Sequence, residues 1–422
     1  MFSCTGDEKL SKNSGFHRPE AGTLFAVRND GFADAQKEHK ELIMKNDSIL
    51  LDEPVEAPSR PASRVPTRLR TAGPTESDYY SEERHGPHEY FELGNFELES
   101  GITLPNARLA WKTHGKLNPA KDNAILFPHM WSGTPKAMEI FIGEGRPLDP
   151  KKYFIILPGQ FGNGFSSSPS NTPPPFDGGA FPNVTIGDDV RAQHRLVTEH
   201  YGIERLELVL GWSMGAEQTY EWAVRFPDMV KRALPFAGTA KTTPHDYIFV
   251  RAHEDALKSD PAWNNGFYGD RGAVRAGILN HAQIWSVMGL CQQFYRDEAW
   301  RDVGFTSLED FLHRFWEAYF LPMDPNNLIW QGWKWRHGDV SRHTNGDLAA
   351  ALGRIKAKTL VVPFSHDMFF PPDDCEAEQR LIPNSKFRVV QSLWAHFAMF
   401  CMTPSEREQI DACIGDLLNE PA

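Results

Sequence analysis

From about residue 88 onward, short apolar runs alternate with stretches of helical period. NFELESG (95–101) and ARLAWKTHG (107–115) alternate apolar and polar side chains and predict an antiparallel pair of strands. NAILFPHM (123–130), YFIILPGQ (153–160), LELVLGW (206–212), residues 230–238, TLVVPFS (359–365) and FRVVQSL (387–393) are continuous apolar runs. Strands of that kind are buried on both faces, so they predict a mostly parallel central sheet covered by helices on either side, an α/β fold. Helical spacing over 189–202 and 216–226 supplies two of the covering helices, and Phe226-Pro227 ends the second.

Residues 245–345 interrupt the alternation. They are mostly helical in period and aromatic: seven of the chain's twelve tryptophans fall there. An insertion placed before the last two strands predicts a helical lid over the carboxyl ends of the sheet, where open α/β sheets bind ligands. The same rings would also serve as the insertion's own core. Residues 1–87 read differently. The stretch 54–74 is rich in Pro, Ala, Ser, Thr and Arg and has no sustained period. It predicts a disordered or weakly ordered tail, with at most a short amphipathic helix over 36–51. The expected organisation is a tail over 1–87, a core over 88–245 and 345–422, and a lid over 245–345.

Composition narrows the partners. The chain has 422 residues, 41% hydrophobic and 24% charged, enough to bury a sizeable core. A net charge of -12 argues against a nucleic-acid partner. No apolar run reaches the ~18 residues of a membrane span, and the N-terminus lacks the apolar region of a secretory signal. A cytoplasmic protein without a membrane partner is expected. The five cysteines (Cys4, Cys291, Cys375, Cys401, Cys413) are odd in number and widely spaced, and no C-x-x-C pair exists. They predict neither a disulfide framework nor a zinc site, and the histidines lack metal-ligand spacing, so no metal is expected.

The chemistry concentrates at Gly211-Trp212-Ser213-Met214-Gly215, a G-x-S-x-G directly after an apolar strand and directly before a helix. A serine on such a tight turn is exposed as a nucleophile, and small neighbours let the backbone take the strained conformation. A serine needs a base, and the base needs a carboxylate to fix its tautomer. On a sheet of this kind the acid and then the histidine follow the serine in the chain. Asp367 lies just after TLVVPFS and His396 just after FRVVQSL, each at a strand's carboxyl end. Asp373 and Asp374 are alternative acids. His366 is the alternative histidine, but it occupies the acid's own loop. The oxyanion donors are expected to be the backbone N–H of Met214 and that of Trp131, with Met130 as the one-residue alternative.

Several of these patterns resemble one family. His129-Met130-Trp131-Ser132-Gly133 matches its H-A-L-T-G loop, and 161–169 (FGNGFSSSP) its glycine- and serine-rich loop. Phe181-Pro182-Asn183-Val184-Thr185-Ile186 before an acidic helix start, Trp212-Ser213-Met214-Gly215, Glu221-Trp222-Ala223 with Pro227-Asp228, and Asp367-Met368-Phe369-Phe370-Pro371-Pro372 match further blocks. From about 88 to 418 the chain resembles the homoserine O-acetyltransferase-like branch of the α/β-hydrolases. The resemblance implies the α/β-hydrolase fold, a lid, and acyl transfer through Ser213.

The departures bear on substrate. Family acetyltransferases carry an Asp after the catalytic His that helps to hold the amino group of homoserine; here Phe397 follows His396. The family's lid motif D-x-N-S-Y-L survives only in part as Asp324-Pro325-Asn326-Asn327-Leu328, and Ala216 replaces the second glycine after the elbow. Phe397, Trp333 and Trp335 are the candidate lining of the substrate pocket. The expected activity is an esterase-like hydrolase acting on a small apolar ester or thioester, with no cofactor. The alternative is an O-acetyltransferase acting on a non-amino-acid alcohol, with acetyl-CoA as acyl donor. A non-catalytic receptor on the same fold is a third reading, though no triad member is missing. Oligomeric state stays open, a homodimer being compatible with all of this.

Overall fold

The structure, a computed structural model, describes residues 78–421. Eight strands form one sheet: β1 (Glu89–Glu97), β2 (Thr103–His114), β3 (Ala124–Leu126), β4 (Phe154–Pro158), β5 (Leu208–Trp212), β6 (Arg232–Phe236), β7 (Lys358–Val361) and β8 (Ser385–Phe387). Their order is β1-β2-β4-β3-β5-β6-β7-β8. β1, β2 and β4 pair antiparallel; every pair from β4 to β8 is parallel. Among the described residues, seven helices reach eight residues: α1 (Ile186–Arg195), α2 (Met214–Arg225), α3 (Pro244–Lys258), α4 (Arg275–Met288), α5 (Pro325–Arg336), α6 (Pro372–Gln379) and α7 (Pro404–Asn419). None of the described helices is long and apolar enough to cross a membrane.

The apolar runs become strands for the expected reason: β4, β5 and β6 are buried along their whole length. Their boundaries differ from the sequence pattern. NAILFPHM yields only three strand residues, because Pro128 has no N–H to continue the ladder. FRVVQSL contributes little more than Phe387 to β8, and a single bridge from Val390 to Phe364 continues the pairing. β1 starts at Glu89, six residues before the alternating segment.

Between β6 and β7 the described chain is helical. This insertion leaves and returns at one neck, where Lys241 bridges Asp339 antiparallel, Val340 N–H donates to Ala240 and Thr242 N–H to Gly338. Trp285 on α4 packs against Phe369, which follows β7, at 5.3 Å between ring centroids. The helices therefore stand over the loops at the strands' carboxyl ends.

Most of the expected tail, including the 36–51 segment, lies outside the described residues. The last part of it packs on the core instead of leaving it: Tyr80 and His85 sit edge-on to Phe165 at 5.6 and 5.0 Å. The Tyr80 hydroxyl accepts the Asp324 N–H at 2.9 Å. Three clustered rings, Tyr79, Tyr80 and His85, give this segment apolar area to bury.

One buried ion pair ties the insertion to the core. Lys334 on α5 donates to Asp189 on α1 at 2.5 Å and to the Phe161 carbonyl at 2.7 Å, while Asp189 accepts the Phe161 N–H at 2.8 Å. Burial pushes the Asp189 carboxyl up to about 6 and the Lys334 ammonium down, against the attraction between them. Removing one partner of such a pair strands the other charge. Lys334→Met should lower stability by about 3–5 kcal/mol in urea unfolding, and adding Asp189→Asn should recover part of the loss. A loss below 1 kcal/mol in the single variant would show that the pair does not anchor the insertion.

Candidate active site

The turn from β5 into α2 carries Ser213 at φ 58° and ψ -124°. This conformation is rare for a residue with a side chain and costs about 1–3 kcal/mol. The flanking glycines make it possible. A Cβ on Gly211 would lie 2.1 Å from the Gly215 carbonyl oxygen, and one on Gly215 would lie 2.5 Å from that of Pro128. The Ser213 hydroxyl makes no bond to the helix it precedes. It points instead to His396.

His396 lies in a short helical turn, Ala395–Phe400. Its Nε2 is 3.0 Å from Ser213 Oγ and its Nδ1 is 2.8 Å from Asp367 Oδ2. The other oxygen of Asp367 accepts the N–H groups of Phe369 at 2.9 Å and Phe370 at 3.2 Å, which fixes the carboxyl plane. All three side chains are buried. The structure thus brings Ser213, His396 and Asp367 into one hydrogen-bonded line. It leaves the alternatives out: Asp373 and Asp374 are exposed at the start of α6, and His366 is exposed at φ 64°.

The loop after β3 lies against the same turn, as the closeness of Pro128 to Gly215 shows. Its peptide planes are fixed from behind. The Met130 carbonyl accepts from His129 Nδ1 at 2.8 Å and from the Gly133 N–H at 3.0 Å. In a trans peptide the N–H points opposite to the carbonyl, so the Trp131 N–H faces away from those donors. Among the described residues, neither the Trp131 nor the Met214 N–H has a protein acceptor. His129 completes the support, its Nε2 facing Asn163 Nδ2 at 3.2 Å; burial lowers its imidazole to about 4, so it acts as a neutral brace. Ser132 Oγ meets Tyr319 Oη of the insertion at 2.9 Å.

The proposed pocket residues divide. Phe397 is buried 5.8 Å from the His396 ring, edge-on to Trp316 at 5.1 Å and tilted against Phe400 at 5.3 Å. Trp335 stands one layer back, stacked on Phe370 at 5.8 Å, and Phe370 is 5.5 Å from His396. Trp333 is elsewhere: it stacks on His337 at 4.0 Å and is not in ring contact with this group. Helical spacing explains the difference, since residues two apart lie on different faces of α5.

Sequence reasoning missed a set of acids behind the triad. Glu217, Asp246 and Glu378 are buried, and no side-chain oxygen of Glu217 has a hydrogen-bond partner among the described residues. Burial, then the charge of Asp367, holds Asp246 well above the usual carboxylate range; burial, then Asp246 and Glu378, does the same to Glu217. Glu378 accepts the Ala240 and Lys241 N–H groups at the neck of the insertion, yet burial still pushes it up to about 8. Such acids leave little trace in sequence, because an acidic residue in a helix normally reads as a solvated face.

Comparison with known proteins agrees with this geometry. Residues 123–400 match the family model for the alpha/beta hydrolase fold. The chain is 53% identical over 347 residues to an ethyl acetate hydrolase of Pseudomonas veronii, covering 82% of this chain and 99% of that protein. It resembles the crystal structure of an acetylester hydrolase from Corynebacterium glutamicum, with TM-score 0.81, 48% identity, and 82% and 99% of the two chains covered. A homoserine O-acetyltransferase of Methanobrevibacter ruminantium is 32% identical over 77% of this chain and 71% of its own. The chain belongs to the alpha/beta-hydrolase fold family. Within it, this is an enzyme, an esterase-like serine hydrolase.

The acid cluster generates a pH prediction. Glu378 keeps its proton up to about 8 in the folded protein, against an ordinary value of 4.5. Between those values the unfolded chain releases the proton and the folded one retains it, so stability falls as pH rises, by about 1.4 kcal/mol per unit at most, and levels off above the upper value. Glu378→Gln cannot ionise. Unfolding free energies at pH 5, 6, 7 and 8 should therefore decline less steeply in the variant; parallel slopes would mean Glu378 is already ionised when folded.

Proposed function

We propose that the protein hydrolyses small acetate or similarly short-chain esters through an acyl-Ser213 intermediate. The observation that carries the reading is the Ser213–His396–Asp367 line beside a loop whose Trp131 N–H has no acceptor among the described residues. Ser213 Oγ attacks the ester carbonyl as His396 Nε2 takes its proton, and Asp367 holds the imidazole with Nδ1–H toward itself. The oxyanion is received by the N–H of Trp131, in the loop after β3, and by that of Met214, at the start of α2 with its positive dipole end. His396 then protonates the departing alcohol, and water repeats the sequence on the acyl-enzyme. No cofactor enters any step. The helical insertion acts as a lid over the site.

Similarity to an ethyl acetate hydrolase and an acetylester hydrolase supports a short acyl group. Two features favour water over an amino-acid alcohol as acceptor. Phe397 is embedded among Trp212, Trp285, Phe315, Trp316 and Phe400, surroundings that offer an ammonium no counter-charge. The close relatives are hydrolases, while the transferase is the more distant match.

The test combines mass spectrometry with steady-state assays. Ethyl acetate and p-nitrophenyl acetate should be turned over, with a transient acetyl adduct on Ser213. Ser213→Ala should lose roughly 10⁴- to 10⁶-fold in kcat while keeping its thermal unfolding temperature. L-Homoserine with acetyl-CoA should give no appreciable O-acetyl product. Efficient acetylation of homoserine, without ester hydrolysis, would replace the hydrolase reading with the transferase one.

A further inference from the structure

We infer that His253 and His281 form a hydroxyl-binding subsite in the wall of the substrate cavity; this rests on the esterase reading above and refines its substrate. His253 on α3 and His281 on α4 are both fully buried, with ring centroids 4.8 Å apart. Neither nitrogen of His253 has a hydrogen-bond partner among the described residues, nor has Nε2 of His281. His281 Nδ1 is 3.3 Å from the His253 carbonyl. Buried polar atoms are rarely left unpaired, so three unpaired nitrogens on two touching rings need a partner from outside the protein fold.

The pair is part of a chain of contacts that leads back to Ser213. His396 touches Phe369 at 4.9 Å, and Phe369 touches Trp285 at 5.3 Å. Trp285 lies 5.7 Å from His253 and stacks on Trp131 at 5.0 Å. Trp131 also stacks on His281 at 5.6 Å and meets the edge of His253 at 5.2 Å. The main-chain N–H of Trp131 belongs to the loop beside Ser213. The two imidazoles thus lie beyond Phe369 and Trp285 from His396, packed on the side chain of Trp131 in the loop beside Ser213.

Their chemistry selects a ligand group. Burial holds both rings neutral, His281 down to about 3 and His253 well below the ordinary value. With Nδ1–H of His281 donating to the His253 carbonyl, its Nε2 is an acceptor. His253 keeps one donor and one acceptor. A hydroxyl, which donates and accepts at once, satisfies an acceptor on one ring and a donor on the other. Of the remaining rings here, Trp131 and Trp285 add buried indole N–H groups that have no partner among the described residues, and Phe249 and Phe320 favour carbon. The subsite therefore suits a short ester with a hydroxyl where a simple alkyl ester has a methyl group.

Two isosteric pairs test this and tell which half of the ester carries the group: 2-hydroxyethyl acetate against propyl acetate for the alcohol half, and ethyl glycolate against ethyl propionate for the acyl half. Wild-type kcat/KM should favour the hydroxylated member of one pair by about tenfold or more. The ratio should fall to near one in His281→Phe and His253→Phe, and His281→Gln, which keeps an acceptor, should restore part of it. The same ligands are titrated into Ser213→Ala by tryptophan fluorescence, since Trp131 and Trp285 touch the subsite. Discrimination there without wild-type turnover would sustain the subsite and defeat the hydrolase reading. Turnover of both members with ratios at or below one in both pairs, or ratios unchanged in the variants, would overturn the subsite and leave the hydrolase reading standing.

Discussion

Everything in the site depends on one strained peptide turn. Ser213 can hold φ 58° only because Gly211 and Gly215 let β5 and α2 close on each other and on the loop from β3. The same close approach that exposes the hydroxyl brings the Pro128–His129 backbone against the helix start. Ser213 and the loop after β3 are therefore positioned by a single constraint. The strain is held by the sheet: Leu208, Val209 and Leu210 are completely buried, and the Ser213 N–H is tied to the Phe236 carbonyl of β6 at 3.0 Å.

The loop is braced from two further directions. His129, Gln160 and Asn163 hold it from the core, with Gln160 Nε2 donating to the His129 carbonyl at 2.6 Å. Tyr319 and the stack on Trp131 hold it from the insertion. An oxyanion donor works by needing no reorganisation at the moment of reaction. Fixing the loop through a side chain that the chemistry does not use is one way to obtain that. It also ties the insertion to this loop, so that Ser132 and Trp131 are held by the core and the insertion together.

How much of this was legible in the sequence follows from the range of the interactions involved. The sheet was legible because continuous apolar runs report burial on both faces, and the line of Ser213, Asp367 and His396 because strand ends in this fold have few neighbours to offer. Strand lengths were less so: Pro128 shortens β3, and the closing run keeps only one residue in β8. Trp333 and Trp335 look alike in sequence, yet only helix phase decides which one faces the core. The Lys334–Asp189 pair joins residues 145 apart, and the Glu217, Asp246 and Glu378 group joins three helices. No local pattern encodes contacts of that span, and charged residues read locally as surface.

The polar groups buried around the site also say something about why the fold tolerates them. Asp189 and Lys334 answer each other, and Glu378 answers the neck of the insertion, so each links two elements that apolar contacts alone would leave free to slide. Burial holds Glu217 and Asp246 well above the usual carboxylate range, which favours their protonated forms. A protonated acid near Asp367 adds no second negative charge to its surroundings. The protein thus keeps a single hydrogen-bonded carboxyl, Asp367, in line with the histidine. Burial away from water is what raises the surrounding acids.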